Sequence, residues 1–162
     1  MIDHTPYMQR AIELAKLGTK AVKSNPKVGS ILVHKNRIIG EGYHKKYGDA
    51  HAEVNCIESV RKKDQHLIAR SRIYITLEPC YHRGKTPPCV DLIITNNIKE
   101  VIIGITDPNP KVSGQSIAKL RLTGISVVEG ICKEECHNLI RPFIKLMNQN
   151  SPWVHLKFAK SK

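Results

Sequence analysis

Apolar positions along the 162-residue chain alternate between a helical and a strand-like rhythm. After Thr5-Pro6, a capping hydroxyl followed by a proline suited to the first helical position, Met8, Ala11, Ile12, Ala15 and Val22 predict a helix to about Lys23. Asn25-Pro26 should stop it, because the residue before proline is pushed out of the helical region. VGSILVH (Val28–His34) and RIIGEGYH (Arg37–His44) read as strands joined by the two-residue turn Lys35-Asn36, an antiparallel hairpin. A helix near Ala52 then carries Val54, Ile57 and Val60 on one side. Next come a strand at Ser71–Leu77, a helix around Cys89–Asn96 and a strand at Glu100–Ile105. A turn-rich Asp107-Pro108-Asn109-Pro110, a short helix ending before Gly124, a strand at Ile125–Gly130 and a helix from about Lys133 to Met147 follow. Alternating strands and helices imply parallel strands with right-handed crossovers. The expected class is α/β, a three-layer α/β/α sandwich around a mixed central sheet of about five strands, with an antiparallel hairpin at one side. Residues 1–150 make one domain, and residues 151–162 form a tail in which Trp153–Lys162 reads as a strand with nothing after it.

Composition narrows the function classes. No run approaches the roughly 18 apolar residues of a membrane span, and the start lacks a signal peptide's basic-then-apolar build. A cytoplasmic protein is expected. The net charge of +12 invites a nucleic-acid partner, but the basic residues are scattered, with few aromatics between them to stack bases. Lys outnumbers Arg 18 to 8, and Lys, Ile and Asn together supply 47 residues, the skew that AT-rich codons impose on any protein. The charge is therefore read as compositional, and neither a nucleic-acid nor a membrane partner is expected. Five cysteines, an odd number without an export signal, favour metal ligation or burial over disulfides.

The chemistry gathers in three short motifs. His51-Ala52-Glu53 stands at a predicted helix start, Glu78-Pro79-Cys80 follows a strand, and Pro88-Cys89 opens the next helix. One histidine and two cysteines are the usual ligand count for a catalytic zinc that keeps its fourth position open; a structural zinc would want four protein ligands. Glu53, two residues from the histidine, lies within reach of water at such a metal and suits a general acid/base. H-x-E followed by P-C is the order found in zinc deaminases, although here the second cysteine comes nine positions after the first rather than three.

These residues resemble the cytidine deaminase superfamily. The longer segments PCYHRGKTPPC, NPKVGSILVHKNRIIGEGYH and TDPNPKVSGQSIAKLRLTGI resemble one member family. That family is the deaminase domain of the bacterial bifunctional riboflavin biosynthesis proteins, diaminohydroxyphosphoribosylaminopyrimidine deaminase. The likeness runs from Tyr7 to the tail. It implies a cytidine deaminase-like fold and one catalytic zinc per chain on His51, Cys80 and Cys89, with Glu53 as proton shuttle. It also implies substrate contacts from Asn25, His44, His82 and Lys85, the last facing a phosphate. The implied reaction is hydrolytic loss of the 2-amino group from 2,5-diamino-6-(5-phosphoribosylamino)-4(3H)-pyrimidinone. Lys157-Phe158-Ala159-Lys160-Ser161 matches the opening of the K-x-x-x-S-L-D-G strand that begins the family's reductase. Either a separate reductase is the partner, which is the reading favoured, or the chain has been cut from a longer one; in both cases no reductase activity is expected in this chain, and the resemblance suggests homo-oligomers assembled through the deaminase domain.

Other residues receive plainer readings. Cys132 and Cys136, beside His137, lack a fourth ligand and are taken as incidental thiols, and Cys56 as core. His4, His34, His66 and His155 are taken as surface or edge residues, and Arg83 is open between phosphate contact and solvent. Two rival functions remain at this stage: a zinc deaminase acting on RNA or a free base, and a non-catalytic zinc module that binds nucleic acid.

Overall fold

The computed structural model describes residues 2–22, 24–82, 87–110, 112–149 and 158. Five strands, β1 (Gly29–His34), β2 (Arg37–Tyr43), β3 (Arg72–Leu77), β4 (Glu100–Ile105) and β5 (Ser126–Glu129), form one sheet in the order β2-β1-β3-β4-β5. The β1–β2 and β1–β3 pairings are antiparallel, β3–β4 and β4–β5 parallel. Lys35 and Asn36 both take positive φ, as a tight two-residue hairpin turn requires. β1, β3 and β4 read as nearly continuous apolar runs because both faces of the sheet are covered. On one face α1 (Thr5–Lys16), α5 (Lys133–Leu139) and α6 (Arg141–Gln149) meet Ile31, Val33, Tyr74 and Ile102. On the other, α2 (Ala52–Glu58), α3 (Cys89–Thr95) and α4 (Gln115–Leu122) bury Cys56, Val90, Ile93, Ile117 and Leu120 against Leu32, Ile73, Ile75 and Val101. The expected three-layer mixed α/β sandwich is therefore present. Among the described residues, no helix is long and apolar enough to cross a membrane.

Several local expectations need correction. α1 stops at Lys16 rather than near Lys23, and a single 3₁₀ turn, Lys20–Val22, continues the chain. Gly18 is the break, a poor helix former packed so close that an added Cβ would lie 3.3 Å from the His44 carbonyl oxygen. Thr5 does not cap α1; it is the first helical residue, and its N–H donates to the Asp3 carboxylate at 2.9 Å. His4, in the cap position, is no free surface group, since its Nδ1 lies 3.0 Å from the Tyr74 hydroxyl. The single helix expected from Lys133 to Met147 is two helices, α5 and α6, broken at Ile140. Pro142 explains the break, being tolerated in a first helical turn but not in a helix interior. A 3₁₀ helix at Lys62–Arg70 was not foreseen. The segment Trp153–Lys162 lies outside the described residues, apart from an exposed Phe158.

α2 also turns a partly different side inward, although Val60, just past its end, is buried in the core with Ile57 packed against it. Ala52, Glu53 and Cys56 are its buried residues, while Val54 and Ile57 are only half-buried. Gly40 and Gly42 of β2 make this orientation possible by bringing the helix backbone onto the strand. A Cβ on Gly42 would lie 2.3 Å from the Cys56 amide nitrogen, and one on Gly40 2.6 Å from the Cys56 carbonyl oxygen. Asn55 fixes the same register by donating from Nδ2 to the Tyr43 carbonyl at 2.9 Å and the Ala50 carbonyl at 3.2 Å. The methyl group in Gly42→Ala must displace backbone, so this variant should lose about 1–3 kcal/mol in chemical denaturation. An unchanged midpoint and slope would show that the strand and helix do not approach this closely.

A candidate metal centre and its pocket

The donors of three separate segments converge beyond the C-terminal end of β3. His51 is the extended residue that starts α2, and its carbonyl accepts the Asn55 N–H at 3.1 Å to close the first turn. Cys80 follows β3 through Glu78-Pro79, and Cys89 is the first residue of α3, after Pro88 in the cap position. The ligand atoms of His51, Cys80 and Cys89 all lie within 4.8 Å of one another. The Cys80 and Cys89 sulfurs lie 3.5 Å and 3.4 Å from His51 Nδ1. For a tetrahedral zinc with usual bond lengths, a sulfur–nitrogen edge is about 3.6 Å, so these donors fit a single zinc ion. The Cys89 N–H donates to the Cys80 sulfur at 3.2 Å, as a thiolate at a helix start invites.

Considering the protein groups alone, Cys80 ionises first. The hydrogen bond from the Cys89 thiol is the largest cause, and it holds the Cys80 thiol well below its ordinary range. The same contact, with burial, pushes Cys89 upward. His51 is raised, chiefly by Cys80. Metal binding requires deprotonated thiols, so a cation on these two facing sulfurs would displace their protons. Beside them Glu53 is 3% exposed and pushed up to about 7, first by burial and next by the negative charge of Cys80. Its carboxyl also contacts the Cys89 thiol. A carboxyl poised near neutrality can take up and release a proton in one cycle.

The metal-ligand cluster opens into a cavity of about 250 Å³. Asn25 and His44 line it together. Asn25 Nδ2 donates to His44 Nε2 at 3.1 Å, and His44 Nδ1 donates to the Ala50 carbonyl at 3.2 Å. These partners fix a neutral ring, and burial lowers its pKa accordingly. His82 is exposed, edge-on to Tyr81, and is not among the lining residues. Lys85 and Arg83 lie outside the described residues. Cys56 is fully buried core as expected, and Cys136 packs over Gly104, whose added Cβ would lie 2.3 Å from its sulfur. Cys132 precedes α5 with φ 52°. Among the described residues, the His51–Cys80–Cys89 group is the only metal-competent set of three.

Three contributors were not foreseen. Asp107 lines the cavity; its carboxylate accepts the Asn109 N–H at 2.8 Å, and burial is the first cause of its raised pKa. Phe143 of α6 forms another part of the wall. Glu78, next to the metal loop, is buried, and its carboxylate accepts backbone N–H groups of Asp107 at 3.0 Å, Gly114 at 2.9 Å, Ser116 at 3.1 Å and Ile117 at 3.4 Å. It thereby caps α4 and ties the turn after β4 to the loop bearing Cys80, while Ser116 Oγ donates to the Pro79 carbonyl at 2.7 Å. The E-P-C spelling signalled an acidic residue at this place but not its four backbone partners.

The family model for the cytidine and deoxycytidylate deaminase zinc-binding region matches residues 1–105. Mixed sheet, His/Cys/Cys cluster and this match define the chain as a deaminase of the cytidine deaminase class. A diaminohydroxyphosphoribosylaminopyrimidine deaminase of Buchnera aphidicola subsp. Schizaphis graminum is 49% identical over 146 residues, covering 90% of this chain and 97% of that protein. Riboflavin biosynthesis protein RibD of Actinobacillus pleuropneumoniae is 44% identical over 153 residues, covering 94% of this chain and 40% of its own length. The crystal structure of the diaminohydroxyphosphoribosylaminopyrimidine deaminase/5-amino-6-(5-phosphoribosylamino)uracil reductase of Thermotoga maritima superposes with a TM-score of 0.86 at 49% identity, covering 93% of this chain and 42% of that one. The chain belongs to the diaminohydroxyphosphoribosylaminopyrimidine deaminase family, and it spans about two-fifths of the RibD-type relatives.

Glu78→Gln puts an amide N–H₂ among backbone donors that need an acceptor. It should cost about 1–3 kcal/mol of stability in urea titrations. A variant as stable as the parent would mean that the carboxylate does not carry these four bonds.

Proposed function

We propose that this chain hydrolyses 2,5-diamino-6-(5-phosphoribosylamino)-4(3H)-pyrimidinone to 5-amino-6-(5-phosphoribosylamino)uracil and ammonia, a step of riboflavin biosynthesis. The observation that carries this reading is the sulfur–sulfur–nitrogen triangle with a buried carboxyl, Glu53, beside it. His51, Cys80 and Cys89 would hold one zinc ion. When bound, zinc would supply a water acidified toward a pKa of about 7.

The chain's own groups do the rest. Glu53 takes the proton from the attacking water and delivers it to the departing 2-amino nitrogen, so that ammonia leaves as C2 gains oxygen. Its raised pKa, about 7, suits both transfers. Asn25, steadied by its hydrogen bond to His44, offers its remaining amide hydrogen and carbonyl oxygen to the edge of the pyrimidine. Neutral His44 presents ring surface without adding positive charge near the metal. His82 and Lys85, between the two cysteines in sequence, would contact the substrate, with Lys85 facing its phosphate, since a lysine supplies the cation a phosphate needs. The product would pass to a reductase of the kind named for the T. maritima relative.

Ammonia release from the diaminopyrimidine ribotide tests this reading directly. Zinc-loaded parent should turn over, dialysis against a chelator should abolish activity and zinc should restore it. Glu53→Gln should lose at least about 10²-fold in kcat. A folded parent carrying one zinc and silent on the ribotide would overturn the substrate assignment. Full activity in Glu53→Gln would overturn the proton-transfer role.

A further inference from the structure

Most of the cavity wall comes from residues 1–105, the stretch shared with the wider deaminase class. Asp107 and Phe143 are the lining residues from beyond it. Asp107 is engaged by the Asn109 N–H. Phe143 has no part in holding metal or moving protons, yet its side chain reaches the cavity from α6, an element on the opposite face of the sheet from α2 and α3. It is the only phenyl or phenol ring among the described lining residues, and with Pro26, Val28, Ala52 and Leu77 it supplies apolar wall in a pocket whose other lining residues are polar or ionisable, Asn25, His44 and Glu53 among them. A flat heterocycle needs its polar edge satisfied and its faces covered, and an aromatic ring covers a face better than an aliphatic chain does.

We propose that Phe143 is a specificity-determining residue, its ring forming the apolar wall against which the substrate's heterocycle lies. The shared metal region would set the reaction, and α6 would help choose the ring that undergoes it. This inference rests on the substrate reading above.

The test compares zinc-loaded parent, Phe143→Ala, Phe143→Leu and Ile144→Ala on the ribotide, with metal content and melting recorded for each. Ile144 neighbours Phe143 on the same helix but borders a separate groove with Lys133, His137 and Arg141. Phe143→Ala should raise KM about tenfold with kcat within about threefold, Phe143→Leu should fall between it and parent, and Ile144→Ala should leave KM within about twofold. An unchanged KM in Phe143→Ala, or an equal rise in Ile144→Ala, overturns the inference; the latter would assign the effect to seating of the helix. Should Phe143→Ala not fold, Phe143→Leu decides, with a rise of at least about threefold supporting the wall and no rise refuting it. A parent silent on the ribotide defeats the substrate reading and this inference with it, whereas an active parent with indifferent Phe143 variants defeats the inference alone.

Discussion

Two sulfurs and one imidazole nitrogen can meet within a few ångströms only if three chain segments, distant in sequence, converge at the same end of the sheet's strands. His51 arrives on the first turn of α2, Cys80 on the loop leaving β3 and Cys89 on the first turn of α3. None of these segments could hold the geometry alone. α2 is set by the close approach of Gly40 and Gly42, which lets the helix backbone rest on β2 and turns Glu53 inward. The loop after β3 is set by Glu78, whose buried carboxylate collects four N–H groups from the next turn and the start of α4. α3 closes the triangle by giving the Cys89 N–H to the Cys80 sulfur.

The electrostatics follow from that packing. Burial and the nearby Cys80 charge lift Glu53 towards neutrality, which would be a liability in a surface carboxylate but suits the proton-carrying role proposed for it. Holding His44 between Asn25 and the Ala50 carbonyl keeps its ring neutral beside the metal ligands. Two sulfurs and one imidazole nitrogen in contact are a donor set suited to a divalent cation such as zinc.

Much of this was legible in the sequence, and the exceptions have physical causes. Strands β1 to β5 announced themselves because apolar residues bounded by turns have few other uses, and H-A-E, E-P-C and P-P-C carried, in order, the three residues that converge in the His/Cys/Cys cluster. The inward side of α2 was only partly legible, Val60 and Ile57 but not Ala52, Glu53 and Cys56, because glycines on a neighbouring strand as well as the helix's own periodicity decide which side can approach. The split at Ile140 was missed because apolar spacing runs straight through Pro142. Phe143 and Asp107 gave no signal as pocket residues: an aromatic on an amphipathic helix and an aspartate in a turn have ordinary structural uses, and only tertiary packing brings them to the cavity. Glu78 stood beside a ligand in sequence, but its four partners belong to residues 107–117 and have no local signature.

Zinc K-edge X-ray absorption of the purified protein tests the centre most directly, because it counts donors irrespective of substrate. The geometry requires about one zinc per chain with two sulfur neighbours near about 2.3 Å and the remainder nitrogen or oxygen. Changing Cys80 or Cys89 to Ser should remove one sulfur each. A shell of three or four sulfurs, or one with none, would contradict the assignment of His51, Cys80 and Cys89 as the metal ligands.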